Sequence, residues 1–139
     1  MDFLLSVPVN DMWMIKLHED IYSAVGIGAY TLAAMGVRAI IDFVVTSRAR
    51  DEGRFTDKLC RLKDAGLLSD MQIGIFAAAF DAGSAAAHRG YSPSLQDVNV
   101  LLEAAESLLE EMYVKPTRLA RHAREASELN SRTPPRPKS

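Results

Sequence analysis

Apolar residues recur every three or four positions along most of this chain. No stretch alternates apolar and polar residues well enough to argue for a strand. The pattern predicts an all-α protein. A first helix spans about 10–26, with Asn10 at its N-cap. Gly26 and Gly28 mark a bend, and a second helix follows over about 29–46, with its apolar face on Tyr30, Ala33, Ala34, Val37, Ile41, Val44 and Val45. Charged residues 47–54 read as a loop. A third, shorter helix covers about 55–65 and stops at Gly66. Ser69-Asp70-Met71-Gln72 has capping-box spacing and opens a fourth helix reaching His88. That helix is apolar on nearly all sides, as a central bundle helix would be. Gly90 and Pro93 make a turn. Ser94 starts a fifth helix whose apolar face is Leu95, Val98, Leu101, Leu102, Ala105, Leu108, Leu109 and Met112.

Pro116 reads as a separator before a basic sixth segment, about 117–129. The Pro-rich end has the composition of a disordered tail. The domain reading is a helical bundle over 1–114, a C-terminal basic helix over 115–130 and a tail over 131–139. The 139 residues suffice for one domain with its own core.

Charge sharpens this division. Residues 1–114 carry 9 Lys/Arg against 16 Asp/Glu, and residues 115–139 carry 7 against 2. A basic end on an acidic body can meet nucleic acid, meet the body of a partner subunit, or serve as a solvated end. The single cysteine, Cys60, excludes an intrachain disulfide and fits a reduced, cytoplasmic setting; it reads as a small buried hydrophobe. The start lacks a basic region and meets Pro8 and Asp11 early, unlike a secretory signal. Residues 21–37 hold no charge, but three glycines interrupt them and Arg38 and Asp42 follow. Buried bundle helices explain that run better than a membrane span.

The stretch with most chemistry is Asp81-Ala82-Gly83-Ser84-Ala85-Ala86-Ala87-His88-Arg89-Gly90-Tyr91-Ser92-Pro93. At 100° per residue, Asp81, Ser84 and His88 share a stripe, and the small residues around them let another helix approach closely.

Four pieces in order resemble a known family: Leu32-Ala33-Ala34-Met35-Gly36-Val37-Arg38-Ala39-Ile40-Ile41-Asp42; Phe55-Thr56-Asp57-Lys58-Leu59 with Ala65-Gly66-Leu67-Leu68-Ser69; the Asp81–Pro93 stretch; and the leucine-rich helix after it, with Pro134-Pro135-Arg136-Pro137 near the end. Together, over about residues 15–137, they resemble the domain of unknown function 4145 family, a prokaryotic helical family similar to the HEPN superfamily. The resemblance implies an antiparallel helical bundle of about five main helices that often dimerises. It also implies an association with restriction, anti-phage or toxin-type defence systems. Many HEPN proteins are metal-independent ribonucleases whose motif is an Arg followed, after four to six residues, by a His. An Arg so placed before His88 would stand at 81, 82 or 83, which hold Asp81, Ala82 and Gly83. His18 and His122 lack an Arg in that window too.

The resulting reading is a non-catalytic helical interaction module, a homodimer. Arg38, Asp42, Asp81, Ser84 and His88 would form a polar core or interface cluster. One alternative is a divergent HEPN-type ribonuclease with His88 as base and Arg89 as phosphate contact. Another is a nucleic-acid-binding accessory using Arg118, Arg121 and Arg124, with Arg132 and Arg136. Capping of helix carbonyls is the structural role open to His88 and Arg89. No cofactor is expected. His18-Glu19 lacks a second ligand pair at metal spacing, so no metal site is expected either.

Overall fold

A computed structural model describes residues 11–137. The expected Asn10 cap and the reading of the N-terminal start lie outside the described residues. Among the described residues, six α-helices follow one another: α1 Met12–Gly26, α2 Tyr30–Ala49, α3 Phe55–Asp64, α4 Asp70–His88, α5 Leu95–Leu109 and α6 Lys115–Arg132. A single π turn, Glu110–Val114, joins the last two. No strand occurs among the described residues. Short connections fold α1–α5 into a helical bundle.

The hub is α2, not α4. It packs against α1, α3, α4 and α5. Eight of its residues are buried: Ala33, Ala34, Val37, Ile40, Ile41, Val44, Val45 and Ala49. Length and composition alone would let α2 cross a bilayer. Within the bundle its apolar side chains pack on four neighbouring helices instead. α4 buries just Phe76, Ala79, Gly83 and Ala86. Its all-round apolar character is mostly alanine, which can sit beside water at little cost, so periodicity overstated its burial.

The α2–α4 crossing is close because of Gly83. A Cβ there would stand 2.4 Å from Arg38 Cβ and 2.9 Å from the Ala34 carbonyl oxygen. The small-residue segment thus admits another helix, and that helix is α2.

Local signals set most boundaries. Ser69 Oγ accepts from Gln72 N while Gln72 Oε1 accepts from Ser69 N, closing the expected capping box. Ser94 and Asp97 repeat it at α5. Gly66 ends α3 with φ of 78°. α2 runs a turn further than its pattern predicts because Ala49 is buried and Arg61 caps the end. The Arg61 guanidinium donates to the carbonyls of Ala49, Arg50 and Glu52. Cys60 is exposed, contrary to expectation. It follows the buried Leu59 by 100° around α3, which carries it off the core face.

Pro116 does not separate α6 from α5. It sits in the first turn of α6, directly after the π turn. Lys115 N already donates five residues back, to Glu110 O, so the path tolerates a residue without an N–H. The wider turn also lets three consecutive residues, Met112, Tyr113 and Val114, face the core. Tyr113 donates its hydroxyl to Asp11 at 2.7 Å, and the Arg48 guanidinium lies 4.4 Å from its ring centre. α6 then runs to Arg132 with no buried residue, so the helix takes in two positions assigned to the tail.

Two glycines in α4 give opposite expectations. A Cβ added at Gly74 would meet no neighbour within 4 Å, so Gly74→Ala gains helix propensity, about 1 kcal/mol. Gly83→Ala must push α2 and α4 apart and costs on the order of 1–3 kcal/mol. Urea denaturation measures both, and equal effects would refute the close crossing. Burial, then the bond to Asp11, pushes the Tyr113 hydroxyl well above its ordinary pKa. The folded chain therefore holds a proton that the unfolded chain releases near pH 10. Stability should be intact below about pH 10 and fall as pH rises beyond it. Tyr113→Phe should flatten that decline in denaturation series run at rising pH.

Candidate functional site

Arg38 organises one side of the molecule. Projecting from α2, its Nε donates to Ser84 Oγ on α4 at 2.8 Å. Its guanidinium carbon lies 4.6 Å from the Phe80 ring centre, and Phe80 stacks on Phe55 of α3, with centres 3.9 Å apart and planes at 6°. One cation thus ties three helices together through a hydrogen bond and a cation–π contact.

Beside it lies an open cleft of about 460 Å³, walled by Arg38, Asp42, Thr46, Asp51 and Lys58 with Trp13 at its edge. Lys58 is 7% exposed. Its ammonium donates to Thr46 Oγ1 at 2.9 Å and to Asp51 Oδ1 at 3.0 Å, and Thr46 donates in turn to Asp42 at 3.4 Å. The two cations face two carboxylates, so the cleft offers no surplus charge to an ionic ligand.

The other polar residues of α4 face elsewhere. Asp81 is exposed and accepts from Arg89 Nη2 at 2.7 Å, and the same nitrogen reaches the Asp81 carbonyl at 3.0 Å. His88 is exposed at the end of α4. The structure brings Arg38 and Ser84 together and places Asp42 in the adjoining cleft. Asp81 and His88 stand apart from that group. Arg89, the proposed phosphate contact, is folded back along its own helix onto a carboxylate.

Sequence reasoning missed a second polar group. His18, 5% exposed, lies 3.0 Å through Nε2 from Glu106 Oε2, and the Tyr22 hydroxyl donates to the same oxygen at 3.0 Å. The His18 and Tyr22 rings meet edge to face at 5.1 Å. Burial, then Glu106, raises the Tyr22 pKa. The available signal was His18 sitting between Met14 and Ile21 on the buried stripe of α1. Its partner is 88 residues away, beyond the reach of spacing arguments. Among the described residues, no three His, Cys, Asp or Glu side chains are grouped to hold a metal ion.

A second concavity is mainly apolar. A groove of about 560 Å³ runs between α4 and α5, walled by Ile75, Ala78 and Ala82 on one side and Val100 and Ala104 on the other. Asp97 and Glu103 lie on its α5 side. Met71 is 79% exposed, Ile75 47% and Val100 62%. Residues 71, 75, 78 and 82 form one helical stripe.

On α6, Arg118 pairs with Glu110 at 3.0 Å and Arg121 approaches Glu125 at 3.8 Å. Arg124 is exposed on the same helix.

Removing Glu106 takes away the acceptor that the buried His18 and the half-exposed Tyr22 share. Glu106→Ala should cost about 1–3 kcal/mol by chemical denaturation, and an unchanged midpoint would show that the group contributes nothing to the fold.

No curated protein and no solved structure matches the chain. The family model described as Domain of unknown function (DUF4145) matches residues 19–132, from within α1 to the end of α6. The match takes in the Arg38–Ser84 contact, the polar cleft and the apolar groove, and the chain belongs to this family.

Proposed function

We propose that this protein is a non-catalytic helical interaction module that self-associates as a homodimer. The observation that carries this reading is the groove between α4 and α5. A helix apolar on nearly every side buries one stripe against α2 and leaves a second, Met71-Ile75-Ala78-Ala82, open beside the exposed Val100. Contiguous exposed apolar surface of this kind is what an interacting protein keeps.

The chemistry of the α4 terminus supports the non-catalytic side of the reading. Metal-independent RNA cleavage needs a base and a positive charge held near the scissile phosphate. Arg89 is committed to Asp81, and Asp81, Ala82 and Gly83 stand where an Arg would complete the His88 motif. Asp81, two turns before His88 on the same helix, adds a carboxylate where phosphate binding would need positive charge. From the similarity to HEPN proteins, we place the module in a prokaryotic defence system of restriction, anti-phage or toxin type, acting in the cytoplasm.

Light scattering of the full chain at micromolar concentration should give twice the chain mass, and a monomer there removes the self-association reading. Labelled RNA incubated with the wild type and with His88→Ala should stay intact in both. Cleavage by the wild type that His88→Ala abolishes would establish a ribonuclease instead.

A further inference from the structure

We infer that the occupant of the α4–α5 groove is α6 of a second copy of this chain, exchanged reciprocally. The inference rests on the self-association reading above and names its surface.

α6 is a helix without a core. Its 18 residues are all exposed. Helices in proteins draw most of their stability from packing an amphipathic face. α6 has such a face: at 100° per residue, Leu119, Ala123 and Ala126 align on one side, flanked by Ala120 and Leu129. Arg118, Arg121, Arg124, Glu125, Glu128 and Arg132 occupy the opposite side. Leu119 is 54% exposed and Leu129 60%. An apolar stripe with small residues at its centre suits a shallow groove lined by alanines, as Ala78, Ala82 and Ala104 line this one.

Charge points the same way. Residues 70–114, which carry both walls, hold 7 Asp/Glu and a single Arg. α6 holds 5 Lys/Arg and 2 Asp/Glu. Docking the apolar stripe would bring a basic helix onto an acidic face, whose Asp97 and Glu103 lie at the groove.

The occupant comes from another copy because of the π turn. α6 issues from the end of α5, itself a wall of the groove, in an uninterrupted helical path. Laying it back on its own groove would break the chain at residues 110–114, where Met112, Tyr113 and Val114 are buried and Tyr113 is held by Asp11. Two copies related by a twofold axis can each lend the helix outward, giving a closed dimer. At 1.5 Å per residue, the 18-residue helix spans about 27 Å, enough to cover the 15-residue α5 wall of about 22 Å.

The test measures dimer dissociation of the full chain by sedimentation, for Val100→Glu in the groove and Leu119→Glu on the helix. Both sites are exposed, so circular dichroism should match wild type. Each variant should weaken the dimer about 30-fold or more, as loss of a central contact does. Ile27→Glu, at an exposed apolar residue in the α1–α2 connection, should leave it unchanged. In a Cys60→Ser background, a mixture of Val100→Cys and Leu119→Cys chains should be joined by a short bis-maleimide. A wild-type monomer sinks the parent reading. A dimer indifferent to both glutamates, or sensitive to Val100→Glu alone, overturns the α6 assignment and leaves self-association standing. A dimer unmoved by Leu119→Glu, with duplex DNA or RNA binding lost on Arg121→Glu and Arg124→Glu, would make α6 a nucleic-acid arm and also overturn it.

Discussion

The approach of α4 to α2 at Gly83 fixes what every other surface of α4 can do. With a hydrogen in place of a side chain, α4 rests on the Arg38 stem and the Ala34 carbonyl. Phe76, Ala79, Gly83 and Ala86 then point at the hub. Rotating one way around the helix brings Phe80 and Ser84 to Arg38. Rotating the other way brings Ile75, Ala78 and Ala82 to the groove facing α5. The polar anchor and the apolar groove are two consequences of a single helix crossing.

Much of this was legible because it is local. The capping box at Ser69, the helix start at Ser94 and the stop at Gly66 depend on residues three or four apart, and the chain obeys them. The choice of hub was not legible. Alanine counts as apolar in a periodicity argument, yet it contributes little burial and tolerates water. So α4 read as central, while the hub is α2, with Val37, Ile40, Ile41, Val44 and Val45. The π turn escaped for a related reason. Met112-Tyr113-Val114 cannot all face inward on a 3.6-residue period, and only the added residue in that turn reconciles them with the core.

The candidate site divides along the same line. Spacing put Asp81, Ser84 and His88 on one stripe, and the stripe lies at the margin of the α2 contact. Ser84 falls inside that margin and takes a bond from Arg38. Asp81 and His88 fall outside, where Asp81 finds Arg89. A stripe reports angular neighbours on one helix and nothing about where the neighbouring helix ends. The His18–Glu106 pair shows the complement: its members meet from helices α1 and α5, 88 residues apart in the chain.

The basic side chains of the bundle are used as anchors between elements. Arg38 joins α2 to α4, Arg48 covers the ring of Tyr113, Lys58 ties α3 to Thr46 and Asp51, and Arg61 closes the end of α2. Each of these four is held by acceptors or an aromatic face. Residues 1–114 carry the acidic excess, while the basic excess begins at Lys115. The boundary between the two signs coincides with the point where the helical path stops burying residues. Opposite charge and uncovered apolar surface are thus apportioned to two surfaces, the α4–α5 face and α6, that the rigid path through Tyr113 holds apart within one chain. The proposed contact between chains rests on that apportionment.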